Sequence, residues 1–90
     1  MVNKNKITRA CTIYDGTTEE LVSLIELTSF SFSEFCTQFD VDTTLDPEMT
    51  ERYSIGPDDS SFILKYLPTP IEFDFKNRAY FFESFIDDRK

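Results

Sequence analysis

The sequence predicts an α+β fold in which one long amphipathic helix, straight or kinked, packs on a small antiparallel sheet of three to four strands. Apolar residues recur with helical spacing between Thr17 and Phe39, whereas Ile7–Tyr14 and Ile71–Phe75 alternate as half-buried strands do. Ten Phe and four Tyr against only two Gly in 90 residues suit one aromatic core, so residues 1–90 are read as a single domain.

The first strand is expected over Ile7–Tyr14, where Ile7, Cys11 and Ile13 share a side and β-branched residues are frequent. Asp15-Gly16 turns the chain. Thr17 followed by Glu20 has the form of a capping box, and the helix is expected from about Thr18 to Phe39 with Leu21, Ile25, Phe32, Phe35 and Phe39 buried. Ser29, Ser31 and Ser33 weaken it, and Ser31 with Glu34 offers a second capping box for a kink or restart near residue 30. Asp46-Pro47-Glu48 suggests a short helix reaching about Tyr53, and the Ile55–Asp59 stretch turns the chain again. Strands are expected over Ser61–Leu67 and Ile71–Phe75, with Pro68 and Pro70 bracketing the connection. After a turn at Lys76–Arg78, residues 79–86 read as a closing strand, or as a short helix capped by Asn77.

Charge is the more informative property for function. The net charge is −8, and between Cys11 and Leu64 twelve carboxylates are opposed only by Arg52. Such a surface repels phosphate and anionic membrane and attracts cations or basic proteins. Met1–Arg9 is polar and basic, unlike a signal peptide, and no apolar run is long enough to span a membrane, so a cytoplasmic location is expected. Cys11 and Cys36 sit in apolar patterns and read as free core thiols.

Catalytic chemistry finds little footing. With no histidine, the usual general base and most zinc sites are excluded, and the chain is read as a non-enzyme without a cofactor. Glu72 and Asp74 share a strand face that is expected to be polar in any case. Asp40, Asp42, Thr44, Asp46, Glu48 and Glu51 occupy the ligand positions of a twelve-residue calcium loop. Leu45 stands where the required Gly should be and Pro47 follows two positions later, so no tight site is expected. Ser31–Asp42 has the rhythm of a helix-turn-helix, but the segment that would read DNA is acidic.

The expected site is therefore the acidic back of the long helix and its continuation. Glu19, Glu26 and Glu34 line that back, Asp40, Asp42 and Asp46 extend the track, and Phe30 is an exposed apolar anchor among them. In size and acidity the chain is similar to DNA-mimic inhibitors such as phage anti-CRISPR and anti-restriction proteins. That similarity implies an inhibitor whose carboxylates replace phosphates in the basic groove of a nucleic-acid-processing protein, without binding nucleic acid or membrane itself. The alternatives are an immunity protein against a nuclease toxin and an acidic ion-binding or housekeeping domain. Oligomeric state is not legible.

Overall fold

In β1 (Lys6–Asp15) the expected alternation holds: Cys11 and Ile13 enter the core, while Ala10, Thr12 and Tyr14 point to the other side of the sheet. The computed structural model describes residues 6–87; Lys4, part of the basic N-terminal stretch, lies outside them. Four strands form one antiparallel sheet in the order β2-β1-β4-β3, where β2 is Leu21–Glu26, β3 Tyr53–Ile55 and β4 Arg78–Asp87. Two short helices, α1 (Phe32–Phe39) and α2 (Ser60–Leu64), pack on one face.

The long helix does not form, which overturns the predicted fold class: the molecule is mostly strands, with no helix longer than eight residues among those described. Asp15 accepts the Thr17 and Thr18 N–H groups at 2.7 and 2.9 Å, and Glu19 takes a left-handed φ of 63°. The donors of the supposed capping box therefore close a hairpin instead. Gly16 is required there by close approach, since a Cβ would stand 2.8 Å from the Asn77 carbonyl oxygen. Beyond the turn, Ile25 pairs with Cys11 and Leu24 with Thr12, so β2 exchanges a helix's internal bonds for a ladder with β1. Leu21 is consequently exposed and Ile25 only half-buried.

The helix restarts where the second capping box stands. Ser31 Oγ accepts the Glu34 N–H at 3.4 Å, and Asp40, left-handed at φ 53°, ends α1. Phe35 is fully buried, Phe39 half-buried and Phe32 exposed. Asp46-Pro47 opens no helix. The Asp46 carboxylate, itself buried, accepts the Thr50 N–H (2.8 Å), the Glu51 N–H (3.1 Å) and the Tyr53 hydroxyl, and left-handed Met49 closes the turn. The expected strand over Ser61–Leu67 is α2, because Gly56-Pro57-Asp58-Asp59 forms a tight helical turn that leads straight into it. Ile71–Phe75 is irregular and joins no strand; Phe73 and Phe75 stack on each other and both pack on Tyr80. The strand reading of residues 79–86 holds as β4.

The hydrophobic core cluster lies on the helix-bearing face; Ala10 and Thr12, on the other, are also without exposed surface. Phe35 and Phe82, both without exposed surface, are the cluster's centre, with ring centroids 4.8 Å apart, and Phe30, Phe39, Phe62 and Tyr66 pack around them. Cys11 is buried in the same core, and burial pushes its thiol pKa up to about 11; Cys36 is half-buried and also free.

Candidate interaction surface

Among the described residues the opposite face of the sheet has no second layer: none of the core cluster, nor of the residues packed around it, comes from it. Its composition follows from strand alternation. β1 contributes Thr8, Ala10, Thr12 and Tyr14, β4 contributes Ala79, Phe81, Glu83 and Phe85, β2 contributes Leu24 and Glu26, and β3 contributes Ser54 with Arg52 just before it. A solvated antiparallel face is ordinarily polar. Here Leu24 is 45% and Phe85 40% exposed, beside the half-exposed rings of Tyr14 and Phe81.

Glu83 is the polar centre of this face. Its carboxylate, 15% exposed, accepts the Thr12 hydroxyl at 2.8 Å and the Tyr14 hydroxyl at 2.7 Å, and stands 3.9 Å from the Arg52 guanidinium. Accepting that bond, Glu83 pushes the Tyr14 hydroxyl above its ordinary pKa. The Arg52 guanidinium also lies over Phe81, 4.4 Å from the ring centroid, and 5.7 Å from that of Tyr14. At the hairpin end a cavity of about 320 Å³ opens between Tyr14, Glu19, Arg52 and Phe81.

The expected site residues are divided between the two sides of the molecule. Glu19 borders the open face at the hairpin and Glu26 lies on it, opposite Ala10. Glu34, Asp40 and Asp42 are exposed on the helix side, where Glu34 accepts the Tyr66 hydroxyl and raises its pKa. With no long helix there is no single acidic back. Asp46 faces inward: burial pushes its carboxyl up, but the Tyr53 hydroxyl and the Thr50 and Glu51 N–H groups outweigh this and hold its pKa below the ordinary value. Phe30 is half-buried, stacked on Phe82 at 5.7 Å with the Arg9 guanidinium 4.2 Å from its ring centroid, and is not the exposed ring among carboxylates that the helical count placed there. Among the described residues no three His, Cys, Asp or Glu side chains converge as metal ligands would, in the 40–51 segment or elsewhere. No helix among them is long and apolar enough to cross a membrane.

Tyr14, Phe81, Glu83 and Arg52 were not singled out as a site from the sequence. A signal was present in Glu83, the lone acid within the apolar Ala79–Ile86 run, and in Arg52, the lone base of the acidic segment.

These features define a two-layer protein, with an antiparallel sheet covered by short helices on one side and open on the other. Residues 8–83 match the family model described as "Domain of unknown function (DUF7683)", and the chain belongs to that family. No curated protein and no solved structure is significantly similar to it.

Proposed function

We propose that the chain is a non-enzymatic binding protein that occupies the basic, nucleic-acid-binding surface of a partner protein, its carboxylates standing in for phosphates. The observation that carries this reading is the lack of internal neutralisation. Among the described residues one ion pair falls within 4.0 Å, Arg52–Glu83, while Glu19, Glu26, Glu34, Asp40, Asp42, Glu51 and Asp58 are exposed and take part in no such pair. One-signed carboxylates on a rigid scaffold raise the encounter rate with a basic groove more than they raise intrinsic affinity. Glu34 in the first turn of α1, Asp40 at its C-terminal cap and Asp42 just beyond, all exposed, are the principal contacts in this reading. The partner is an enzyme or effector that handles nucleic acid in the cytoplasm, as for anti-CRISPR or anti-restriction inhibitors; an immunity protein facing a nuclease toxin would use the same surface.

Affinity purification at low salt, followed by competition with nucleic acid, tests it. The expected partner is a basic nucleic-acid-binding protein that releases this chain when DNA or RNA is added and as salt is raised from about 0.05 to 0.5 M. Reversing Glu34 and Asp42 to Lys should slow association more than it speeds dissociation. A partner that carries nucleic acid and this chain together, each with undiminished affinity, would sink the proposal.

A further inference from the structure

The ladder between β1 and β4 places a small residue beside a large one in row after row of the open face: Thr8 beside Phe85, Thr12 beside Phe81, Ala79 beside Tyr14. A half-turn about an axis parallel to the strands and midway between β1 and β4 would exchange the two strands' places. Each large side chain of one copy would then lie over the small residue of the other, Phe85 over Thr8 most openly, since Thr12 has no exposed surface within its own copy. The same rotation brings β2 over β3. Leu24 meets Ser54, and Glu26, in the row of Ala10 and Glu83, meets Arg52 at the far edge of that row.

We propose that a second copy of this chain packs on the open sheet face about that two-fold axis, with two symmetry-related Glu26–Arg52 contacts at the edges. The edge charges are self-complementary under this operation, as an isologous interface requires, while each Glu83, held by Thr12, Tyr14 and Arg52 of its own copy, would lie over Ala10 of the other. A purely basic partner would set like charge against Arg52. Four strands about 4.8 Å apart and about six residues of roughly 3.3 Å give a face near 19 by 20 Å, about 380 Å² per copy and so below the size of a standard specific interface. The dimer should therefore be weak, with Kd on the order of micromolar or above. Each copy carries a net charge of −8, so the copies repel at long range and dimerisation should strengthen as salt is raised. That trend is opposite to the one expected for the basic partner, and the proposal stands or falls independently of the function proposed above.

Sedimentation velocity on the full chain from about 10 to 500 μM, at low and at 0.5 M salt, is the test. We expect a monomer–dimer equilibrium that shifts toward dimer at high salt. Glu26→Arg and Arg52→Glu should each weaken it about tenfold by opposing like charges, and an equimolar mixture of the two variants should dimerise again, because both edge contacts are restored only in the mixed pair. Phe85→Lys and Leu24→Glu, at positions nearly half exposed, should also give monomers with unchanged circular dichroism, and they decide the matter if Arg52→Glu fails to fold beside Glu83. A chain that stays monomeric at 0.5 mM and high salt overturns the proposal. A dimer indifferent to Phe85→Lys and Leu24→Glu does so equally, since it must use another surface, such as the free edge of β2.

Discussion

Arg9 fastens the irregular 40–52 segment to the sheet. One guanidinium nitrogen donates to the Glu48 carbonyl at 2.9 Å, the Met49 carbonyl at 2.7 Å and Ser84 Oγ at 3.0 Å, while the planar group covers Phe30. Its burial lowers its pKa, opposed by the charges of Glu48 and Asp46. Arg9→Ala should cost about 2–3 kcal/mol in denaturant unfolding, and Arg9→Lys should recover less than half of it, since an ammonium cannot both stack and bridge. Asp46 secures the same segment from within. Its folded-state pKa lies below the ordinary 3.8, so its contribution is full above that value and is lost as pH falls below it through the folded pKa. Asp46→Asn should be less stable than the parent at pH 7, and the gap should narrow when both are measured near pH 3. A gap that stays constant would show that the Asp46 charge is not what the turn uses.

Among the elements, the 15–20 hairpin and α1 decide how the chain divides its first half. Gly16→Ala should destabilise by about 1–3 kcal/mol through the Asn77 carbonyl, measured by thermal melt. Phe35→Ala should cost about 3–5 kcal/mol, whereas Phe32→Ala, at an exposed ring, should cost under about 1 kcal/mol. Equal losses at the two positions would mean that α1 packs with a different face. The reason β2 escaped sequence reasoning lies in Leu21–Glu26 itself. Leu21, Leu24, Ile25 and Thr28 satisfy a helical period, but the run is apolar on both sides and satisfies a strand as well. Only the unpaired edge of β1 settles the choice, and that edge is a tertiary fact. In Ser61–Leu67 the alternating Phe62, Leu64 and Tyr66 concealed a helix whose opening at Pro57 was legible. Ile71–Phe75 alternates and does place Phe73 and Phe75 on one side, yet it pairs with no strand and both rings pack on Tyr80 instead. β1, its turn, the cap at Ser31 and β4 were legible because each carries a local signal: alternation, Gly, or a side-chain oxygen next to free N–H groups. The open face was not, since a sheet face is assembled from four separated segments by register.

At the scale of the molecule, the two middle strands of the sheet are also its two most distant segments in the chain, paired from Lys6–Asp87 to Asp15–Arg78. β3, at one edge, has no partner but β4, and the Phe35 ring finds its central neighbour, Phe82, on that same last strand. Most of the sheet therefore depends on long-range pairing, which closes slowly because chain entropy must be lost before the contacts form. On a translating ribosome this becomes a waiting time. About sixty residues separate the end of β1 from the start of β4, so at about 5–20 residues per second the β1–β2 hairpin and its aromatic neighbours stand unfinished for roughly 3–12 s. During that interval Ile25 and the Phe-rich α1 have no β4 to pack against, which makes the nascent chain a client for holding chaperones. A stalled chain ending at Asn77 should remain protease-sensitive throughout, and one extended past Asp87 should become resistant in a single step.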